Sequence, residues 1–162
     1  MLQSIDLWLH TTAAGEFLLT MALSMAPVME LRGGLPIGVG LGLPLPAAFL
    51  AAVIGNLIPV PFIILFARRI FAWARRRIPF MRKLIDRLER RVENKWEQVH
   101  RYQTLGLLIL VAIPLPGTGA WTGALAAALM DLRMKNALPA IGGGVLIAGL
   151  VISLITYGVT AL

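Results

Sequence analysis

Charge is absent from this chain in long blocks. None occurs from Gly33 to Ala67 (35 residues), from Tyr102 to Met130 (29) or from Asn136 to Leu162 (27). A helix crosses the hydrocarbon core of a bilayer with about 20 apolar residues, so each block is long enough. The first is too long for one straight span: at about 1.5 Å per residue it would reach roughly 50 Å, against a core of about 30 Å. Two prolines in GLPLP (42–46) divide it, because proline ends or restarts helices. The pattern therefore predicts one spanning helix over residues 46–67, continuing into the arginines to about 76, with kinks at Pro59 and Pro61.

What precedes that span is different. Phe17 to Met29 is only 13 uncharged residues, and Leu35 to Leu43 is shorter still. Two short apolar arms around ELRGG (30–34) predict a re-entrant helical hairpin, since neither arm can cross alone and irregular backbone at depth needs protein or a cavity around it. The second half has the same order. TLGLLILVA (104–112) is a short arm, IPLPGTG (113–119) a breaker cluster, AWTGALAAALM (120–130) a second short arm, and Asn136 to Leu162 a second full span. A shift of 87 residues lays Pro27 on Pro114 and Gly55 on Gly142. An internal repeat follows.

Between the halves, Met81, Leu84, Ile85, Leu88, Val92, Trp96 and Val99 recur at spacings of three and four. They form one apolar helical face opposite Arg, Lys and Glu, which predicts an amphipathic helix on the membrane surface; a soluble helical arm is the alternative. The expected organisation is a single membrane domain: residues 1–76 as first hairpin and span, 77–103 as linker, 104–162 as second hairpin and span. The fold class is an all-α integral membrane protein with two inverted repeats.

Composition agrees, and charge adds direction. The chain is 58% hydrophobic with mean hydropathy +0.80, too apolar for a soluble domain of this size. Twelve of its fifteen basic residues lie between Arg68 and Arg101, and Arg133 and Lys135 follow. Basic loops face the cytoplasm, so residues 68–101 are expected there, both termini outside, and the protein in the cell inner membrane as a multi-pass protein. The partners expected are membrane lipids, with no nucleic acid. With these sides fixed, the two hairpins enter from opposite faces and their tips meet near the midplane. The absence of cysteine, and of any histidine cluster, leaves no thiol chemistry and no metal-ligand spacing, and no cofactor is expected.

The chemistry lies in the tips. Glu30 and Arg32 at midplane depth cost several kcal/mol unless paired or hydrated. They either neutralise each other or form a working site. Arms beginning at Leu35 and Ala120 would turn their N-terminal N–H groups to the middle, and Gly33, Gly34, Gly117 and Gly119 would let an anion approach. Arg32 adds positive charge and Thr118 a hydroxyl. Glu30 would oppose the anion while ionised and could take up a proton when it binds. Asn56 could bridge to a tip, or make a helix–helix hydrogen bond. Trp121 lines a cavity or packs against helices, and GGG (142–144) allows a close helix crossing. With no nucleophile–base pair at depth, an enzyme is not expected.

The motifs ELRGGLPIG and IPLPGTGAWTGALAAALM, with IGNLIP between them, resemble the small multi-drug export protein family, a compact relative of the DedA (VTT) superfamily. The resemblance implies two opposed re-entrant hairpins and a role in lipid handling, including flipping of polyprenyl phosphates. It places Glu30 and Arg32 at the first tip and Pro114, Pro116, Gly117 and Thr118 at the second. The superfamily pattern carries arginines around the second tip; this tip has none. The expected function is translocation of a small amphiphile, a lipid-linked phosphate or similar anion, coupled to protons. The alternatives are proton-coupled export of cationic drugs and a non-transporting scaffold. A homodimer would thicken a wall built from only two hairpins and two spans.

Overall fold

The computed structural model describes residues 12–77, 96–115 and 117–160. The amphipathic face expected over 81–99 falls almost wholly outside these residues, as does Pro116. Seven helices are described: α1 (Ala13–Met25), α2 (Glu30–Gly40), α3 (Leu45–Leu57), α4 (Pro59–Arg77), α5 (Trp96–Ala112), α6 (Ala120–Leu129) and α7 (Met134–Thr160). No strand occurs among the described residues.

Two helical stretches are long and apolar enough to cross a bilayer, Leu45–Ala74 and Met134–Gly158. The first is α3 and α4 in succession, broken at Ile58, where the prolines predict a kink. Neither Pro59 nor Pro61 has an N–H to give to the preceding turn, so the ladder cannot run through them. The remaining apolar helices are too short to cross: α1 has 13 residues and α6 has 10, or roughly 20 and 15 Å.

The first pair of arms differs from the expected one. Helix α1 starts earlier and ends at Met25, and the turn is residues 26–29. ELRGG is not a loop but the first turn and a half of α2, which runs from Glu30 to Gly40. Gly34, expected at the tip where an anion could approach, is a packing position, and so is Gly38. A Cβ on Gly34 would strike Ser24 Oγ, and one on Gly38 would meet Thr20 at 2.6 Å. Positions four apart on α2 thus receive positions four apart on α1, the close approach that small residues allow in a membrane. The two hydroxyls do not go unpaired in this seam: Thr20 Oγ1 donates to Glu16 O at 2.7 Å and Ser24 Oγ to Thr20 O at 2.8 Å. Gly55 of α3 lies against the α1 backbone at Met21 O.

The second half packs by similar means. Helix α5 is longer than the expected arm and runs through residues 103 and 104 without a break. It lies on α7, where Gly144 faces Val111 and Leu108. The contacts correspond between halves: α1 packs on α2 and α3 as α5 packs on α6 and α7. Both second arms also end alike. Gly42 (φ +114) and Asp131 (φ +50) take the left-handed position after α2 and α6. Leu43 N donates to Gly38 O at 3.1 Å, and Leu132 N to Ala127 O at 3.0 Å, which closes a Schellman turn at each end. Helices α2 and α3 of the first half meet α7 of the second, with Leu31, Leu35, Ala52, Val111, Ala120, Ala124, Ile141 and Val145 buried in one core.

Candidate functional site

The turn after α1 and the loop after α5 come together, and hydrogen bonds cross between the two halves in both directions. Arg32, in the first turn of α2, spreads its guanidinium over the end of α5. Its Nη2 donates to Ile113 O at 3.2 Å and to Thr118 Oγ1 at 2.8 Å, and its Nη1 donates to Leu115 O. A helix C-terminus leaves carbonyl groups without partners and carries partial negative charge, so a cation with a fork of donors suits it. Thr118 braces the same loop. Its hydroxyl accepts from Arg32 and stands 2.6 Å from Ile113 O, to which it donates.

The second loop answers through Trp121. Its indole Nε1 donates to Met25 O at 3.1 Å, covering the last carbonyl of α1. Its backbone N donates to Glu30 Oε1 at 3.2 Å. That N–H belongs to the first turn of α6, whose N-cap residue Gly119 has no side chain to offer. Glu30 supplies the capping oxygen instead, from the opposite half of the chain. Glu30 is buried at 7% exposure and holds a left-handed φ of +48, so the start of α2 is bent to bring the carboxylate there. Gly119 is glycine for the same reason: its φ is +147, and a Cβ would run into Glu30 Oε2.

This arrangement alters the expected anion site. The N-terminus of α6 does face the middle, but a carboxylate of the protein already sits on it. Helix α2 begins at Glu30 and not at Leu35, and Gly33 and Gly34 face Met29 and Ser24. Nor do Glu30 and Arg32 join in an ion pair; among the described residues the ion pair that forms is Arg68 Nε with Asp131 Oδ1 at 3.6 Å, where Arg68 also donates to Leu132 O.

Two spaces adjoin Glu30. A cleft of about 520 Å³ lies between the tips, lined by Pro27, Val28, Met29, Glu30, Arg32, Pro114, Gly117, Thr118, Thr122 and Ile152. Its polar groups are Glu30, Arg32 and the two threonines, and its walls are apolar. The second is a cavity of about 10 Å³, bordered by Glu30, Asn56, Gly119, Val145 and Ala148 among others. Val145 and Ala148 stand near the middle of the apolar Met134–Gly158 stretch.

The structure thus gathers Glu30, Arg32, Asn56, Pro114, Gly117, Thr118, Gly119 and Trp121 around one centre, and leaves Gly33 and Gly34 in the α1–α2 seam. Thr122, whose hydroxyl donates to Gly117 O at 2.9 Å, and Ile152 were missed. A hydroxyl beside Trp121 in an otherwise apolar arm was the available signal for Thr122; Ile152 gives none within its apolar helix.

The described residues form helices and no strand, and two helical stretches are long and apolar enough to cross a membrane. A family model described as "Putative small multi-drug export protein" matches residues 30–151, more than half of the chain, and the chain belongs to that family. No curated protein and no solved structure matches it.

Proposed function

We propose that the protein is a transporter that carries a small amphiphile with an anionic group across the inner membrane together with a proton bound by Glu30. The observation that carries this reading is the place of the Glu30 carboxylate: on the N-terminus of α6, at the edge of the cleft, beside Arg32. An anion-binding end of a helix is there held by an internal anion. Protonation of Glu30 removes that charge. The Trp121 N–H and the unbalanced positive charge of Arg32 then attract a substrate anion. Pro27, Val28, Met29, Pro114 and Ile152 offer an apolar wall to its chain. The volume is within the usual range of roughly 300–1,000 Å³ for small-molecule sites. Proton and anion enter together and leave together, and the carboxylate returns to the helix end.

The paired contacts of the two halves support two inverted units, each a re-entrant hairpin with a span, and a second copy of the chain would complete the wall of the cleft. The resemblance to the DedA (VTT) superfamily supports a lipid-linked phosphate as the substrate class. In this topology single cysteines near residues 3 and 160 label from outside, and one at Glu89 labels only from inside; the opposite labelling overturns the inverted arrangement.

Transport is read with purified protein in lipid vesicles, using a fluorescent alkyl phosphate and, separately, a lipophilic phosphonium cation. The alkyl phosphate is expected to move with a strong dependence on a pH gradient, and Glu30→Gln to abolish that dependence by fixing the neutral state. Full pH-dependent transport by Glu30→Gln removes the coupling role. Movement of the cation alone, dependent on Glu30 and indifferent to Arg32→Gln, establishes export of cations instead, and movement of neither leaves the scaffold.

A further inference from the structure

The small cavity bordered by Glu30 has a feature that the transport reading does not use. Asn56 of α3 is 3% exposed, and its Oδ1 is buried without a hydrogen-bond partner in the protein. A buried polar group without a partner loses its hydrogen bonds to water and gains none, and a buried amide in the middle of a span is costlier still to leave dry. Asn56 borders the same cavity as Glu30. That cavity measures about 10 Å³, at the lower limit of roughly 10–15 Å³ that admits one water. The rest of the lining named for it is apolar or backbone (Leu31, Val111, Gly119, Ala120, Val145, Ala148), except for Arg32, the only other charged side chain among the described residues there.

A metal cation does not suit this space. One carboxylate and one amide, three side-chain oxygens in all, are too few for a hard cation, which takes six or more, and the guanidinium of Arg32 opposes it. A water molecule suits it well. It has two hydrogens to give, and the lining residues with side-chain acceptors are Asn56, whose Oδ1 has no other partner, and Glu30.

We infer that this cavity is a one-water site joining Asn56 to Glu30, and that Asn56 is the positioning residue for the transported proton. While Glu30 is ionised, the water donates to both oxygens. When Glu30 takes up a proton, its O–H donates to the water oxygen, and the water continues to donate to Asn56. No bond other than the Glu30 O–H forms or breaks, and the proton stays on the carboxyl until it is released. The water thus holds the carboxylate together with the Trp121 N–H. It gives the neutral acid an acceptor when the Trp121 N–H turns to substrate.

The inference rests on Glu30 as the proton carrier, so its test reads Glu30 directly and needs no substrate. Infrared difference spectra of the protein in lipid vesicles follow the carboxyl band of Glu30 as pH is changed, with Glu30→Gln to identify the band. Asn56→Leu removes the acceptor and fills the cavity, so the carboxylate loses a donor. The band is expected to convert at a pH about one unit higher, a tenfold change in proton affinity, and the exchange-sensitive water band to vanish. Ala148→Val fills the cavity from α7 with Asn56 unsubstituted and is expected to give the same shift, which covers an Asn56→Leu protein that does not fold. Asn56→Ser keeps an acceptor and is expected to stay near the wild type. Wild-type titration of Glu30 in both Asn56→Leu and Ala148→Val, or in Ala148→Val if the first cannot be made, overturns the inference and leaves the transport reading standing. A Glu30 band that does not titrate in the wild type overturns both.

Discussion

Arg32→Gln is expected to lower the stability of the protein in detergent micelles by about 3 kcal/mol, and adding Glu30→Gln is expected not to restore it. Hydrogen bonds from a charged group contribute roughly 1.5–3 kcal/mol each when buried. Arg32 makes three, to Ile113 O, Leu115 O and Thr118 Oγ1, on a loop that is partly exposed, so the sum is discounted. Glu30→Gln keeps an oxygen for the Trp121 N–H and costs little by itself. Two charges whose main role was to cancel each other would behave otherwise: losing either would leave a buried unpaired charge, and losing both would recover the fold. Here each side chain is fastened to the other half of the chain, on different atoms. Arg32→Lys should recover only part of the loss, since one ammonium does not reach three acceptors as a planar fork does. Unfolding of the four proteins by denaturant decides it. Recovery of wild-type stability by the double variant would show a neutralising pair.

Gly119→Ala is expected to be the most damaging single methyl in the site. The left-handed φ of +147 is strained for alanine, at about 1–3 kcal/mol. The added Cβ also runs into Glu30 Oε2, so the carboxylate must leave the Trp121 N–H or α6 must retreat. The expected result is a loss of roughly 3 kcal/mol together with loss of transport. Glu30→Ser in the same chain shortens the opposing side chain and should return the steric part of the stability but not the part owed to φ, and none of the transport. Gly117→Ala is the control. It shares a positive φ of +81 but has nothing within 4 Å of the added methyl, so it should show the strain alone. Equal losses at 117 and 119 would argue against a carboxylate seated at the α6 N-terminus.

The long-range outline of this fold was legible because a bilayer reads out as run length. The two candidate spans and the break at Pro59 follow from where charge is absent and where proline stands. The fine structure of the first tip was not legible. A glycine pair between short apolar arms looks like a turn on local rules, and nothing nearby says that Ser24 and Thr20 require glycine opposite them. The start of α6 at Ala120 was read correctly, because IPLPGTG leaves the chain nowhere earlier to begin a helix. Which anion holds that end could not be read: the partner lies 91 residues away at Glu30, and no local pattern encodes that distance. Glu30 and Arg32 were recognisable from their cost in an apolar setting, whereas their partners in the other half, Thr118 apart, are backbone atoms with no residue type to betray them.

The crossed hydrogen bonds also set a schedule for biosynthesis. Arg32 and Leu115 are 83 residues apart, and at about 5–20 residues per second the ribosome needs roughly 4–17 s to make the second after the first. Throughout that interval the first tip exists without the carbonyl groups and the N–H that hold its two charges. The nascent first half therefore has to keep Glu30 and Arg32 near water or in the insertion machinery, and can settle only when IPLPGTGAW arrives. A chain stalled or cut before residue 113 is then expected to be recognised by membrane quality control as an unfinished protein, however well its first span is inserted.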